Sequence, residues 1–202
     1  GFLGDPGGEG YALLEQWIGR AGYVPVRRSG DAAFSDNVLL VVCPTRSVPE
    51  AYRASVVRYV EQGGTLLLLD SVENTASTAN SLLWPFGLSL RSGRWRGDLI
   101  LAGHEQSWPV EQAVELSGGE TIARIGDHPV AVRARRGRGS VIAVGFASLW
   151  NDRNMGMSWG VEPDEAMLAR YKLWYAVLRA AATGQAVTIA PRVSRPATSP
   201  DR

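Results

Sequence analysis

Residues 36–70, DNVLLVVCPTRSVPEAYRASVVRYVEQGGTLLLLD, decide the fold. Residues 36–43 are an apolar, β-branched run ending before Pro44, a pattern typical of a strand buried on both faces of a parallel sheet. Pro49 then opens a helix, Gly63-Gly64 closes it, and residues 65–70 form a second buried strand. Strand, helix and strand with short connections predict an α/β fold with a doubly wound, mainly parallel sheet.

The flanking segments extend this pattern. Residues 9–21 have apolar side chains at helical spacing, and residues 23–29, YVPVRRS, predict a short strand. The stretch GFLGD at residues 1–5 predicts the end of a first strand. Residues 164–184 predict an amphipathic helix. Its predicted buried stripe consists of Met167, Leu168, Tyr171, Trp174, Tyr175 and Leu178.

The second half of the chain has a different character. Residues of about 88–140 contain short alternating segments separated by glycine-rich turns, which predicts a β-rich insertion. Within it, the segment around Arg136-Gly137-Arg138-Gly139 predicts a hairpin with a solvated tip. We therefore expect one α/β domain over residues 1–184, followed at 185–202 by a flexible tail or linker rich in Pro, Ser and Arg.

Composition excludes several classes of protein. The net charge of +1 over 202 residues gives no general attraction to nucleic acid, so no nucleic-acid partner is predicted. Cys43 is the only cysteine, which rules out an intramolecular disulfide and argues against a cysteine-based zinc site. This fits a reducing compartment and is compatible with export. No apolar stretch is long enough to span a bilayer, and no signal-peptide pattern occurs.

Four pieces occur in the order of a known pattern: Gly4-Asp5, a helix ending at Gly22-Tyr23, residues 36–70, and RRGRGSVIAVGFASLWND at 135–152. The chain resembles the class I glutamine-amidotransferase-like superfamily, specifically its non-enzymatic branch of GIFT and DUF4350 domains. The most specific piece is the helix–VEQGG–strand segment around residues 60–64. The resemblance implies a flavodoxin-like fold. It also implies a non-catalytic module in a larger transport-related or membrane-associated protein, for instance an extracytoplasmic domain of a bacterial one.

The chain departs from the enzymes of that superfamily at their reactive positions. They carry Gly-x-Cys-x-Gly at the turn after the strand equivalent to residues 65–69, whereas this chain has Asp70-Ser71-Val72-Glu73. Their His-x-Glu pair is also missing from the late strand, where Phe146-Ala147-Ser148 occurs. The resemblance therefore implies a scaffold that has lost glutaminase chemistry, and no cofactor is predicted.

Two polar clusters follow predicted strands. Ligands of open α/β sheets bind where parallel strands end, so both clusters should lie at one end of the sheet and could bind a saccharide or another polar small molecule. The ligand-binding candidates are Asp70, Ser71, Glu73, Asn74, Thr75, Thr78, Asn80, Asn151, Asp152 and Arg153. A loop with a helix N-cap at Asn74, Thr75, Ser77 or Thr78 is the alternative interpretation.

Other functions stay open at this point. A hydrolase of amide, ester or glycosidic bonds would use Asp70, Ser71 and Glu73, with His104 or His128 as a base. A domain that only binds a protein partner would instead carry an exposed apolar patch. Asp70, Glu73 and Asp152 could hold a hard cation, but their spacing does not require one, so no metal is predicted.

The remaining aromatic, basic and thiol side chains have structural explanations. Cys43 follows an apolar run and is expected to be a buried small side chain. The tryptophans of the second half could stack on a carbohydrate or anchor the core. They are Trp84, Trp95, Trp108, Trp150 and Trp159. Arg133 and Arg135 should face away from Arg136 and Arg138, which divides the basic patch.

Overall fold

The computed structural model describes residues 10–156 and 163–189, which form one mixed α/β structure. The helices are α1 (Ala12–Arg20), α2 (Glu50–Glu61), α3 (Asn80–Leu83), α4 (Asp152–Met155) and α5 (Glu165–Thr183), with 3₁₀ helices at Gly30–Phe34, Trp84–Phe86 and Ala147–Trp150. The strands are β1 (Val38–Val42), β2 (Thr65–Leu69), β3 (Ser89–Leu101), β4 (Ser107–Ser117), β5 (Glu120–Ile125), β6 (His128–Arg136) and β7 (Gly139–Val144). None of the helices in these ranges combines the length and apolar character needed to cross a bilayer.

All strands join a single seven-stranded sheet in the order β1-β2-β7-β6-β5-β3-β4. β1, β2 and β7 run parallel, whereas the remaining neighbours pair antiparallel. The expected mainly parallel sheet is therefore found only in this first part. β5, β6 and β7 follow one another through short turns, and a short turn can join only antiparallel strands.

Helices cover both faces of β2. Leu67 and Leu69 point to a core shared with α1 and α5, while Leu66 and Leu68 point to a second core with α2 and α3. This alternation is the ordinary two-residue period of a strand. Every side chain of β2 is consequently buried, as its apolar sequence predicts.

Several local predictions are wrong or lie outside the described residues. Residues 23–29 form no strand, and Val24 is 85% exposed, because no neighbouring strand pairs with this segment in the described part of the chain. On α5, Leu168 is 40% exposed, whereas Leu173 and Val177 complete the buried stripe. The predicted strand end at residues 1–5, Trp159, and residues 190–202 of the tail are outside the described ranges.

The hairpin between β6 and β7 has the solvent-exposed tip that the sequence predicts, and this tip also contacts the end of α2. The Arg138 guanidinium donates to the Gln62 carbonyl at 2.8 Å, and Arg136 forms an ion pair of 3.0 Å with Glu61. A Cβ atom on Gly137 would lie 2.5 Å from the Glu61 carbonyl oxygen, so this close contact needs glycine. The arginines complement the negative end of the dipole of α2, which gives the basic turn a structural role.

Candidate functional site

The carboxyl ends of β1, β2 and β7 meet at one end of the sheet. The Cys43 amide donates to the Leu69 carbonyl at 2.8 Å, and the Asp70 amide donates to the Val144 carbonyl at 2.8 Å. The Asp70 carbonyl in turn accepts from the Ala147 amide at 2.9 Å. The prediction that the two polar clusters lie at the same end of the sheet is confirmed by this parallel arrangement.

Asp70 is fully buried and organises the loop that follows β2. Its Oδ1 accepts from the Ser71 amide and from Asn74 Nδ2, both at 2.8 Å, and its Oδ2 accepts from the Ser77 hydroxyl. Burial raises the pKa of the Asp70 carboxyl, and these three donors oppose that rise. Both carboxyl oxygens are thus engaged by the loop itself.

The same loop is fastened to the residues that follow β1. Asn74 Nδ2 lies 3.3 Å from the Pro44 carbonyl, which also accepts from the Thr78 amide at 2.9 Å. The Thr78 hydroxyl donates to the Arg46 carbonyl at 2.8 Å. These bonds fix the shape of the carboxyl end of the sheet.

Asn80 has a different role, because it faces β3. Its Oδ1 accepts from the Leu90 amide at 2.7 Å, and its Nδ2 donates to the Leu90 carbonyl at 3.2 Å. The Asn80 amide therefore behaves as a strand partner for the start of β3. The N-cap residue of α3 is Ala79, which makes no side-chain cap, so the alternative of a helix cap at Asn74, Thr75, Ser77 or Thr78 is wrong for this helix.

Three uncharged side chains pack together between the ends of β1 and β2. Cys43 Sγ lies 3.5 Å from the Tyr11 hydroxyl and 3.8 Å from Ser71 Oγ. Burial is the main cause that raises the pKa of both the Tyr11 hydroxyl and the Cys43 thiol. Both groups are therefore protonated at neutral pH, and the thiol is not activated as a nucleophile.

Cys43 is also unusual in its backbone. Its φ of 42° is positive, which no other non-glycine residue of the described part shares. Cys43 is half-buried, so the expected buried side chain is only partly realised. Strain of this kind is held in place by surrounding structure. Here that structure includes the bond from the Cys43 amide to Leu69 and the contacts of Sγ.

The second polar cluster, which follows β7 and contains Asn151, Asp152 and Arg153, connects α1 to this end of the sheet. Asp152 Oδ1 accepts from the Leu13 amide at 2.8 Å and Oδ2 from the Ala12 amide at 3.1 Å, while the Asp152 amide donates to Gly10 at 2.7 Å. The carboxylate thus caps α1 and neutralises its positive end. Asn151 caps α4 in the same way, by accepting from the Asn154 amide at 2.9 Å.

The predicted candidates that expose polar groups to solvent are fewer. Glu73, Thr75 and Arg153 are exposed, whereas Ser71 is buried. Glu73 raises the pKa of Tyr11 through its negative charge, which places it near the cluster of Tyr11, Cys43 and Ser71. We use the name edge site for seven residues: Tyr11, Cys43, Asp70, Ser71, Glu73, Thr75 and Arg153.

Neither histidine supplies a base to the edge site. The His128 ring stacks on Trp95 with centroids 3.3 Å apart, and its Nδ1 lies 3.3 Å from Glu115. The His104 amide donates to Leu101 in a turn after β3, and neither histidine bonds to Asp70 or Ser71 in the described ranges. Those ranges also contain no group of acidic, histidine or cysteine side chains suited to a metal ion.

Sequence reasoning missed the part that Tyr11 and the Asp152 cap play in this site. Tyr11 precedes a helix and shows no motif, and Asp152 is 140 residues from the Ala12 amide that it accepts from. Ordinary N-caps lie next to the helix that they cap. No local signal could have revealed this one.

A family model described as "Domain of unknown function (DUF4350)" matches residues 4–158. The chain belongs to the DUF4350 family. No curated protein matches it.

Solved structures with low sequence identity share the fold. The N-terminal domain of mmIFT52 is 12% identical with a TM-score of 0.56, and the match covers 81% of this DUF4350 chain and 88% of that domain. Cytoplasmic protein STM1381 from Salmonella typhimurium LT2 is 14% identical with a TM-score of 0.55, and the match covers 84% of each chain.

Glycosidases also match, but over a fraction of their length. The exo-β-1,4-mannosidase Op5Man5 from Opitutaceae bacterium strain TAV5 is 15% identical with a TM-score of 0.55, over 83% of this chain and 30% of that enzyme. This chain spans only 19% and 24% of two structures of the β-galactosidase Gan42B. At these identities the matches establish the fold alone.

Proposed function

We propose that this DUF4350 chain is a non-catalytic binding module of a larger protein, and that its edge site binds a polar ligand such as a saccharide. The scaffold we propose is the flavodoxin-like one of the class I glutamine-amidotransferase-like superfamily, in the GIFT-like branch. The observation that carries this proposal is the state of Asp70, whose buried oxygens are both engaged by the loop after β2. A carboxylate whose two oxygens already accept hydrogen bonds from this loop stabilises the loop and is not available as a base.

The chemistry around Asp70 supports binding in preference to catalysis. Tyr11 and Cys43 are neutral, and Ser71 Oγ has the Cys43 thiol as a neighbour instead of a histidine. Activation of a serine requires a base within hydrogen-bonding distance. Outside this neutral cluster, Glu73 and Thr75 offer a carboxylate and a hydroxyl to solvent, groups that bind sugar hydroxyls well.

The larger protein is suggested by the relatives that share the fold. The likeness to 30% of Op5Man5 supports a module that occurs inside a longer chain, and the enzyme's mannosidase name suggests saccharides as a ligand class. The match to an N-terminal domain, that of mmIFT52, likewise supports a module within a larger protein. From the resemblance to GIFT domains, we propose that this protein is transport-related or membrane-associated and has a protein partner.

A glycan array followed by calorimetric titration tests the ligand. We expect the wild-type chain to bind at least one saccharide, and the double variant Glu73→Gln/Thr75→Ala to lose at least tenfold in affinity, or about 1.4 kcal/mol. Glu111→Gln is the matched control, because Glu111 is exposed on β4 at the opposite edge of the sheet and should bind like wild type. Equal affinity in all three proteins, or no binding by the wild type, would contradict the proposal.

The hydrolase alternative requires a separate measurement. We expect no turnover of chromogenic esters, anilides or glycosides by the wild-type chain. Turnover that disappears in Ser71→Ala and persists in Glu111→Gln would replace the binding module with an enzyme.

A further inference from the structure

Trp84 is the largest apolar side chain that the described part of the chain leaves exposed. It begins the 3₁₀ helix Trp84–Phe86, and 63% of its surface is accessible to solvent. The residues around it point inward, because Leu82 and Leu83 of α3 are buried in the core shared with α2, and Phe86 packs against that core. Trp84 therefore does not anchor the core, although its neighbours do.

Arg136, at the tip of the β6–β7 hairpin, holds the backbone beside Trp84 in place. Its Nη1 donates to the Pro85 carbonyl at 3.0 Å, and its Nε donates to Glu61 Oε1 of α2 at 3.0 Å. Because this backbone is already ordered, a partner that covers Trp84 would lose little conformational entropy. We use the name tryptophan patch for five residues: Trp84, Pro85, Phe86, Arg136 and Arg138.

The tryptophan patch is basic. The two chain segments that build it, residues 74–97 and 128–151, contain arginines and no aspartate or glutamate. Glu61 is the one acid that the described residues bring into an ion pair there, and its partner is Arg136. Arg136 Nη2 has no acceptor among the described residues, and Arg138 bonds through Nη2 alone. The patch therefore offers guanidinium donors beside an exposed aromatic ring.

This combination favours an acidic protein segment as the occupant. Tryptophan and arginine are the residue types most enriched where binding energy is concentrated in protein interfaces, and guanidinium groups bind carboxylates in a directional way. A second copy of this chain in a twofold interface would place arginines against arginines, which is unfavourable. A nucleic acid would require a row of cations along its phosphates, whereas the chain has a net charge of only +1.

We propose that the tryptophan patch is a docking surface for a short acidic segment of a partner protein. An apolar side chain of that segment covers Trp84, and its carboxylates pair with Arg136 and Arg138. The inference rests on the protein partner of the proposed function and gives that partner its chemistry. It does not involve the edge site, because the hairpin tip lies at the start of β7, which begins at Gly139, and the edge site lies at the other end of this strand.

Selection from a phage-displayed library of random short peptides tests the proposal without a known partner. The 202-residue chain is immobilised, and phage that also bind Trp84→Ala are removed. Because Trp84 is exposed, this substitution should leave the fold intact. We expect the selected peptides to be rich in aspartate and glutamate around one large apolar residue. Selected peptides without acidic residues would overturn the proposal.

One selected peptide, synthesised in free form, then measures the two kinds of contact separately. Its binding should shift the tryptophan emission of the wild type to shorter wavelength, because Trp84 leaves water, and Trp84→Phe should bind without that shift. Arg138→Gln should bind about tenfold more weakly and with a smaller dependence on salt. Arg94→Gln is the matched control, because Arg94 is exposed on β3 and should behave like wild type. Equal affinity of Arg138→Gln and wild type would contradict the proposed pairing of charges.

Other probes decide between classes of partner. Vesicles containing phosphatidylserine and single-stranded oligothymidylate should not shift the emission of Trp84, and a shift with either that disappears in Trp84→Phe would overturn the peptide as occupant. Peptides that bind wild type and Trp84→Ala equally would leave the protein partner of the proposed function standing and remove this surface from it. If the wild type retains no peptide at all, both fail. Saccharide binding at the edge site is measured separately.

Discussion

β1 and β2 are neighbouring strands with similar sequences and different surroundings. They pair in register from Val38 opposite Thr65 to Val42 opposite Leu69, and both are almost wholly apolar. Yet β2 is buried throughout, whereas β1 is half-buried except at Val42. The difference comes from position, because β2 lies between β1 and β7 while β1 has one described neighbour.

The sequence of β1 fits an interior position better than an edge. Natural edge strands usually carry charges, prolines or bulges that prevent pairing with other chains. Val38–Val42 has none of these. The contrast between an interior-type sequence and an edge position among the described strands teaches that the composition of a strand alone does not predict its place in the sheet.

The largest effect we expect comes from the register pair Leu40 and Leu67. Leu67→Ala should lower the free energy of unfolding by about 2–5 kcal/mol, because Leu67 is fully buried. Leu40→Ala should cost only about 1 kcal/mol in the 202-residue chain, since its side chain is half-buried. Denaturant titration of both variants measures the difference. Equal costs of the two substitutions in the 202-residue chain would contradict the contrast between β1 and β2.

The spacing of apolar residues predicted the individual helices and strands better than it predicted which strands pair. β2, α2 and α5 were recognised because their apolar spacing is set by cores on the sheet faces. The strand predicted at residues 23–29 rested on Val24 and Val26, but a strand also needs a backbone partner, which this segment lacks among the described residues. The pairs β3–β4, β5–β6 and β6–β7 join strands that are consecutive in the sequence, but the pairing of β3 with β5 depends on contacts between more distant residues, and no local pattern encodes it.

β1 and β2 also differ in the residues that follow their carboxyl ends. Asp70 follows β2, and its carboxyl group holds the next loop in place, so Asp70→Ala would remove the acceptor of the Ser71 amide and of the Ser77 hydroxyl. We expect a loss of about 1–3 kcal/mol in the free energy of unfolding at neutral pH. Asp70→Asn keeps one acceptor oxygen and should cost less, which denaturant titration would show.

The pH dependence provides a second measurement of the same carboxyl. Burial raises its folded pKa above the ordinary value of 3.8, so folding favours the protonated form. This contribution to stability is complete below pH 3.8 and is lost as the pH rises through the folded pKa. As the pH rises through the folded pKa, the free energy of unfolding of Asp70→Asn should therefore fall less than that of the wild type. Parallel stability curves for the two proteins would contradict the raised pKa.

The position of both polar clusters at one end of the sheet followed from the sequence, but the hydrogen bonds that they form did not. Asp70 and Asp152 were placed at one end of the sheet because each follows a strand of the same parallel set. That Asp152 caps α1, and that Tyr11 reaches Cys43, depends on how α1 docks. Such docking is decided by packing over the whole molecule and has no short-range signature.

The smallest expected effect concerns Cys43, where β1 ends with a φ of 42°. In this left-handed conformation a side chain is unfavourable, so Cys43→Gly should be more stable than Cys43→Ala by about 1 kcal/mol. Both variants lose the contacts of Sγ, so the difference between their free energies of unfolding reports on the backbone conformation alone.

Ser71, just after β2, provides the control. Its φ is not positive, so Ser71→Ala should be more stable than Ser71→Gly, because glycine costs about 0.5–1 kcal/mol relative to alanine. Denaturation midpoints of the four variants measure both differences, and an alanine variant more stable than glycine at position 43 would show that the left-handed turn stores no strain.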